Sequence, residues 1–225
     1  MNRLVGVVWF LSFVLCCACG RSKQPEAPRD LSPSNETKEQ DSRPVIVAFG
    51  DSLTAGLGVE PGEGYPARLQ AKIDAEGYRY RVVNAGVSGD TSSQGLDRLE
   101  SILALHPAIV IVEFGGNDGL RGVPVSATRQ NLEAIVKGLQ DAGSKVVLAG
   151  MEMPPNYGPA YTKAFHDIFP GIAASRHTAL VPFLLDGVGG HADLNQADGI
   201  HPTAKGYEIV AENVWQALLP LLRKS

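Results

Sequence analysis

Five short apolar runs alternate with segments of helical periodicity through most of this chain, and that alternation constrains its fold more than any other feature. The candidate strands are residues 45–49, 80–83, 108–114, 145–149 and 180–183. The candidate helices are residues 66–76, 91–105, 126–142, 159–175 and 203–223. Strands that are apolar throughout and alternate with helices indicate parallel βαβ units. We therefore predict an α/β fold, a three-layer α/β/α sandwich around a five-stranded parallel sheet.

The part of the chain with this pattern, residues 45–225, is acidic overall. It holds 14 of the 20 basic and 19 of the 24 acidic residues, a formal charge of −5. Such a surface has no bulk positive potential, so we expect no nucleic-acid partner and no basic membrane-binding helix. All three cysteines lie in the first 20 residues, which excludes a disulfide, a thiolate metal site and a thiol nucleophile from the domain. Nothing in the sequence requires more than a monomer.

Residues 1–19 have the pattern of an export signal. Arg3 precedes an apolar run over residues 4–15, which is too short to span a bilayer comfortably, and small residues follow. Cysteine at the cleavage point resembles the bacterial lipoprotein signal, in which the mature chain begins with a lipid-bearing cysteine. We favour Cys19 as the lipidated residue, with Cys17 as the alternative, and an ordinary secretory signal is the competing interpretation. The predicted location is the periplasm, with a lipid anchor in a bacterial membrane.

Residues 20–44 are predicted to be a flexible tether between this anchor and the domain. Their one aliphatic residue is Leu31, and five basic residues balance five acidic ones. A segment of this composition cannot bury enough apolar surface to offset the entropy of ordering it.

Polar turns that contain glycine follow the first three candidate strands. The sequence GDSL at residues 50–53 places Ser52 where a strand gives way to a helix, with its backbone N–H near a helix N-terminus. Gly86 and Gly89, within NAGVSGDT, permit a close backbone approach to a ligand. GGNDG at residues 115–119 presents the side-chain amide of Asn117 as a neutral, directional donor. Taken singly, each turn is also explained as a helix cap or a tight turn.

A fourth turn, DGIHP at residues 198–202, precedes the last candidate helix. Asp198 and His201 can lie side by side across it, so that the carboxylate keeps one imidazole nitrogen protonated and the other remains a proton acceptor. As metal ligands they would need further partners, and the remaining histidines offer no obvious set. Those histidines are His106, His166, His177 and His191. We expect no metal site.

All four turns fall at the carboxyl edge of one predicted sheet, where open α/β folds bind their ligands. Together they contain a nucleophile, donors for an oxyanion and a His–Asp base, which predicts a serine hydrolase. The Gly-x-Ser-x-Gly elbow of the α/β-hydrolases is absent, as is the third glycine of a dinucleotide-binding loop.

The four blocks resemble the signature blocks of the SGNH (GDSL) hydrolase family. Residues 82–85, 88–92, 113–122 and 155–158 are similar to one branch of it, bacterial thioesterase I/lysophospholipase L1 and related arylesterases. The resemblance covers almost the whole domain from about residue 45. It implies the flavodoxin-like SGNH fold and the hydrolysis of carboxylic esters, extending to acyl thioesters and lysophospholipids, without a cofactor.

The resemblance also implies residue roles. It makes Ser52 the nucleophile, His201 the base and Asp198 the partner that orients it. It forms the oxyanion hole from the backbone N–H groups of Ser52 and Gly89 and the side chain of Asn117.

For substrate binding, the resemblance implies Leu120, in the loop after the Asn117 block, and Tyr157. Glu152 would place a negative charge at the pocket mouth if it pointed inward, and would then discourage anionic substrates. Two alternative functions use the same residues: a carbohydrate O-deacetylase of the SGNH type, and a non-catalytic lipoprotein that binds acyl chains or glycans.

Overall fold

The structure, a computed structural model, describes residues 41–224. The predicted signal peptide, the candidate lipidation site Cys19 and residues 20–40 of the predicted tether lie outside the described residues. The strands are β1 (Val45–Gly50), β2 (Arg81–Asn84), β3 (Ile109–Glu113), β4 (Lys145–Ala149) and β5 (Ala179–Val181). All adjacent pairs are parallel, in the order β2-β1-β3-β4-β5. The predicted fold class is confirmed.

Helices cover both faces of this sheet. They are α1 (Ser52–Ala55), α2 (Tyr65–Ala75), α3 (Ser92–Asp97), α4 (Leu99–Leu103), α5 (Gly116–Leu120), α6 (Val125–Asp141), α7 (Pro159–His166), α8 (Ile168–Arg176) and α9 (Ala204–Leu218). Two 3₁₀ helices span Pro155–Tyr157 and Leu219–Leu221. Helices α2 and α9 pack together against the sheet, and α3, α4, α6 and α8 form a second group that also contacts it. The strands β1 and β3 are buried throughout because both of their faces are covered.

Three predicted helices differ from those observed, and proline explains two of the differences. The predicted helix 159–175 is two helices that meet at Asp167, because Pro170 has no N–H to donate to the carbonyl of His166. The last α-helix ends at Leu218 rather than residue 223, since Pro220 likewise lacks a donor. The predicted helix 91–105 is interrupted at Arg98, whose φ of −95° and ψ of 1° are not helical.

The first four described residues, 41–44, run along the edge of the domain at β2. The carbonyl of Pro44 accepts a hydrogen bond from the N–H of Arg81 at 3.0 Å. The guanidinium of Arg43 donates to the carbonyl of Tyr80 at 3.3 Å and pairs with Asp41 at 2.7 Å. The end of the predicted tether is thus hydrogen-bonded to the domain.

Register places the carboxyl ends of the two central strands side by side. Gly50, the last residue of β1, is the partner of Glu113, the last residue of β3. The segments that follow these strands, α1 and α5, therefore begin at the same level of the sheet. This geometry brings the turn that carries Ser52 next to the turn that carries Asn117.

Candidate active site

Ser52 is the first residue of the one-turn helix α1, directly after β1. The Asp51 side chain caps this helix by accepting a hydrogen bond from the N–H of Leu53 at 3.0 Å. Gly50 is required where strand meets helix, because a Cβ atom there would lie 2.1 Å from Thr54 Oγ1 and 2.6 Å from the Glu113 carbonyl oxygen. The tight turn fixes the Ser52 side chain at the carboxyl edge of the sheet.

Asp198 and His201 reach Ser52 from the loop before α9. One oxygen of Asp198 accepts hydrogen bonds from the N–H groups of Ile200 at 2.9 Å and His201 at 3.0 Å. The other oxygen lies 2.7 Å from His201 Nδ1, and His201 Nε2 lies 2.9 Å from Ser52 Oγ. Because a carboxylate only accepts, Nδ1 carries the proton and Nε2 is free to accept the Ser52 hydroxyl.

The Asp198 carboxylate is ionised near neutral pH. The hydrogen bond with the His201 side chain, followed by those from the His201 and Ile200 N–H groups, lowers the pKa of Asp198 to about 2. Its negative charge fixes the imidazole tautomer and favours the imidazolium that forms when His201 takes a proton.

Ser52, Gly89 and Asn117, which carry three hydrogen-bond donors, line one cavity. Within residues 41–224, the backbone N–H groups of Ser52 and Gly89 donate to no protein acceptor. Gly89 has a φ of +88°, a conformation that favours glycine. The guanidinium of Arg121 donates to the Gly89 carbonyl at 2.8 Å and so holds this loop in place. The contact between Arg121 and Gly89 was not predicted from the sequence.

The third donor, Asn117, is already hydrogen-bonded within the protein. Its Nδ2 atom lies 3.0 Å from Asp51 Oδ2 and 3.0 Å from the Asp90 carbonyl oxygen. A substrate oxygen in this position therefore competes with the Asp90 carbonyl, while the bond to Asp51 keeps the amide oriented.

A cavity of about 600 Å³ opens beside Ser52, and most of its lining is apolar. Its apolar walls include Leu53, Leu57, Leu120, Met151, Met153, Pro154, Pro155, Phe183, Leu185 and Ile200. Leu120, at 42% exposure, lies at the rim. Tyr157 does not line the cavity; it is 37% exposed and its ring stacks on that of Tyr161 at 5.9 Å. The structure thus brings Leu120, but not Tyr157, to the candidate substrate site.

Two glycines and one carboxylate also contribute to the cavity wall. Gly189 and Gly190 leave space on the side near Phe183. Glu152 lies in the lining with about half of its side chain exposed, and its carboxylate is 3.9 Å from Nε2 of the His166 imidazole. Glu152 is the one acidic residue other than buried Asp51 among those that line the cavity.

A buried carboxyl pair, Asp51 and Glu113, lies at the turn that carries Ser52 and was not predicted from the sequence. Glu113, fully buried, accepts hydrogen bonds from the N–H of Asp51 at 3.2 Å and the hydroxyl of Thr54 at 2.8 Å. Burial, and then the neighbouring Asp51 charge, raises the pKa of Glu113 well above its usual range. Burial also raises the pKa of Asp51, although its hydrogen bonds oppose that rise. An acidic residue at the end of an apolar strand was the available signal.

Arg98, which interrupts the predicted helix, ties two of the site loops together. It forms a salt bridge of 2.7 Å with Asp90 and donates to the carbonyls of Ala85 at 3.2 Å and Gly50 at 3.3 Å. Its guanidinium also lies over the Phe49 ring, 5.0 Å from the centroid. Arg98 therefore links the turn after β1 to the loop that contains Gly89.

Within the described residues, no group of three or more His, Cys, Asp or Glu side chains is arranged to hold a metal ion. No helix among residues 41–224 combines the length and apolar content that crossing a bilayer demands.

Known proteins are similar to this chain in sequence and fold. The model of the GDSL-like Lipase/Acylhydrolase family matches residues 48–209. Over 185 residues the chain is 48% identical to the esterase TesA of Pseudomonas aeruginosa, covering 82% of this chain and 92% of that protein. It is 38% identical over 179 residues to the thioesterase 1/protease 1/lysophospholipase L1 of Escherichia coli, covering 79% and 85% respectively. The crystal structure of TesA matches with a TM-score of 0.77 at 49% identity and covers 79% of this chain and 99% of its own.

Proposed function

The chain belongs to the GDSL-like lipase and acylhydrolase family, as its sequence blocks predicted, and from this premise we propose that it hydrolyses acyl esters through a covalent intermediate on Ser52. Its esterase relatives make it a serine esterase of the SGNH type that acts on small-molecule esters. The proposal concerns which residues perform the reaction, which acyl groups they accept and where the enzyme works.

One observation carries the assignment of Ser52, namely the unbroken hydrogen-bond chain from its hydroxyl to His201 and on to Asp198, at 2.9 Å and 2.7 Å. A serine hydroxyl is a weak nucleophile unless a base within hydrogen-bond reach removes its proton. A module that only bound acyl chains would gain nothing from this arrangement.

In the first half of the reaction, Ser52 Oγ attacks the ester carbonyl carbon and His201 Nε2 takes the hydroxyl proton. The N–H groups of Ser52 and Gly89 and the Asn117 amide bind the resulting oxyanion. When the tetrahedral intermediate collapses, His201 returns the proton to the leaving alcohol and the acyl group remains on Ser52.

In the second half, water attacks the acyl-enzyme and His201 acts again as the base. The carboxylic acid leaves with the water oxygen, and the proton returns to Ser52 Oγ. In both halves of the reaction, the Asn117 amide exchanges its hydrogen bond to the Asp90 carbonyl for one to the substrate oxygen. Its hydrogen bond to Asp51 is kept throughout.

The cavity supports medium-length or longer acyl groups as substrates. A space of about 600 Å³ with mostly apolar walls is far larger than an acetyl group needs, which disfavours the O-deacetylase alternative. The carbonyl carbon of a thioester is attacked by the same machinery, with a thiol in place of the alcohol as leaving group, and one relative is named for both thioesterase and lysophospholipase activities. We therefore extend the proposed substrates to acyl thioesters and lysophospholipids.

The proposed setting of the enzyme is a bacterial periplasm. Residues 1–19 support export, Cys19 supports a lipid anchor, and residues 20–40 support a tether. Mass spectrometry of the mature full-length chain tests this, because a diacylated N-terminal Cys19 supports the anchor and an unmodified N-terminus beyond residue 19 contradicts it. We propose that the enzyme is a monomer, which light scattering after gel filtration measures directly.

The central experiment is mass spectrometry of the purified protein after exposure to a fluorophosphonate, beside Ser52→Ala and the exposed-serine control Ser126→Ala. We expect one adduct on Ser52 in the wild type and in Ser126→Ala, and none in Ser52→Ala. A folded wild-type protein that forms no adduct would overturn the nucleophile assignment and favour acyl binding without catalysis. A series of p-nitrophenyl esters then separates the substrates, since activity on acetate alone would favour the deacetylase.

A further inference from the structure

We propose that Glu113 is a positioning residue of the esterase reaction, a neutral carboxylic acid beside the Asp51 carboxylate that holds the turn that presents Ser52. This inference rests on the proposed role of Ser52. It adds a residue that touches neither substrate nor the reacting atoms and that acts through the residues on both sides of the nucleophile.

Glu113 is hydrogen-bonded to residues on both sides of Ser52 in the chain. A single oxygen of Glu113, Oε2, accepts hydrogen bonds from the N–H of Asp51 and from the hydroxyl of Thr54, which lie before and after Ser52 in the chain. The Thr54 hydroxyl is also 2.9 Å from the hydroxyl of Tyr65. All four of these polar residues are buried, so water does not replace the bonds if they are lost.

The pair formed by Glu113 and Asp51 has no cation to balance two negative charges. Within residues 41–224, neither carboxyl group forms a salt bridge with a Lys or Arg side chain. The other titratable groups that face the pair are the buried phenols of Tyr65 and Tyr207 and the imidazole of His201. Two adjacent buried carboxyl groups cannot both ionise at low cost, so one proton remains on the pair.

Hydrogen bonding assigns that proton to Glu113. Asp51 accepts from the Leu53 N–H through one oxygen and from the Asn117 amide through the other, which favours its charged form. The second oxygen of Glu113, Oε1, is buried and has no protein donor. Burial, and then the neighbouring Asp51 charge, raises the pKa of Glu113, whereas the hydrogen bonds that Asp51 accepts oppose the rise that burial causes in its own pKa.

This arrangement serves the reaction in two ways. It leaves Asp51 as a carboxylate that orients the Asn117 amide toward the oxyanion site. It also keeps a second negative charge away from a region where an oxyanion must develop, and a charge there would oppose catalysis. A neutral acid therefore holds the nucleophile turn at a lower electrostatic cost than a second carboxylate would.

The test compares Glu113→Gln with Glu113→Leu in the full-length protein. Glutamine keeps an acceptor for the Asp51 N–H and the Thr54 hydroxyl, and it is neutral. We expect kcat of Glu113→Gln to stay within about threefold of wild type, and kcat of Glu113→Leu to fall by at least about tenfold with KM little changed. A fall in kcat that glutamine rescues separates positioning from a loss of folded protein.

A second measurement does not depend on whether Glu113→Leu folds. If Glu113 is protonated when folded and ionised when unfolded, wild type loses stability relative to Glu113→Gln as pH rises above the ordinary glutamate pKa of 4.5. The unfolding temperature of Glu113→Gln minus that of wild type should therefore increase with pH. The infrared carbonyl band of a protonated carboxylic acid should also be present in wild type and absent from this variant.

The opposite results distinguish a failure of the role inferred for Glu113 from a failure of the proposed function. If wild type reacts with the fluorophosphonate but Glu113→Gln is as slow as Glu113→Leu, Glu113 acts as a carboxylate and this inference is wrong. A pH-independent difference in unfolding temperature, or no acid carbonyl band, would overturn it as well. If wild type forms no adduct on Ser52, the proposed function fails first.

Discussion

The guanidinium of Arg121 holds the carbonyl oxygen of Gly89 at 2.8 Å, and through this bond the end of α5 fixes the loop that carries the proposed oxyanion donor Gly89. We predict that Arg121→Ala lowers kcat for ester hydrolysis by about tenfold with little change in KM, because the donor is misplaced only for the transition state. Arg129→Ala, which removes an exposed arginine paired with Glu133 on α6, is the control. Equal kinetics for the two variants would refute the role of Arg121.

Asn117→Ala tests the proposed side-chain donor of the oxyanion hole. Loss of one such donor costs about 100- to 1,000-fold in kcat, and we expect a fall in this range with the fold intact. Asn131→Ala removes a partly buried amide that donates to the Ser92 hydroxyl and is the matched control. Wild-type kcat in Asn117→Ala would show that another group binds the oxyanion.

The His201–Asp198 bond predicts a loss of stability in acid. The pKa of Asp198 is about 2 in the folded protein, below its ordinary value of 3.8, so this carboxylate stabilises the fold above about pH 4 and ceases to do so as pH falls toward 2. Thermal unfolding of wild type and Asp198→Asn should therefore differ near pH 5 and converge below about pH 2. The difference will be modest, since Asp198 is 44% exposed. A difference that grows in acid would contradict this assignment.

Gly189→Val should shorten the acyl groups that the enzyme accepts. A Cβ atom at Gly189 lies at ordinary contact distances, 3.4 Å from the Phe183 ring and 3.5 Å from the Leu185 carbonyl, so larger side chains fit without a strained backbone. We expect kcat/KM for the longest p-nitrophenyl esters to fall by about 10- to 200-fold while short esters are unaffected. Gly189→Ala should give a smaller shift in the same direction. A uniform loss across all chain lengths would place the acyl group elsewhere.

Glu152→Gln should improve the hydrolysis of anionic thioesters such as acyl-coenzyme A. The Glu152 carboxylate lies at the cavity wall with no Lys or Arg partner among the described residues, so it repels a negatively charged leaving group. We expect kcat/KM for the thioester to rise about two- to fivefold at low ionic strength, and the gain to shrink with added salt. A neutral p-nitrophenyl ester is the control substrate. The same gain on both substrates would indicate a change in shape rather than charge.

Much of this fold can be predicted from the sequence because the buried strands are continuous apolar runs. Each strand prediction agrees with the structure to within two residues at either end. Ser52, Asn117 and His201 could be placed at one edge because each follows a strand or precedes the last helix, and parallel strands share one carboxyl edge. The breaks at Asp167 and after Leu218 could also have been foreseen from Pro170 and Pro220.

The contacts that support the site could not be predicted from the sequence in the same way. Arg98 and Arg121 act on carbonyl groups far from them along the chain, and periodicity carries no signal for such bonds. Glu113 ends an apolar run, where a charged residue is as consistent with a solvated strand end as with a buried acid. Tyr157 belongs to a 3₁₀ helix whose orientation is set by stacking on Tyr161, a tertiary contact that the resemblance did not supply.

Ser52 and His201, joined by one hydrogen bond, are 149 positions apart, with the serine following the first strand and the histidine preceding the last helix. The proposed catalytic pair of Ser52 and His201 therefore forms only when the N-terminal and C-terminal parts of the domain have packed together. A growing chain that ends before residue 198 contains Ser52 but lacks His201, so we expect it not to react with a fluorophosphonate. Reactivity toward a fluorophosphonate thus reports complete folding of each molecule, and its appearance with time after dilution from denaturant would record the closure of the whole sheet.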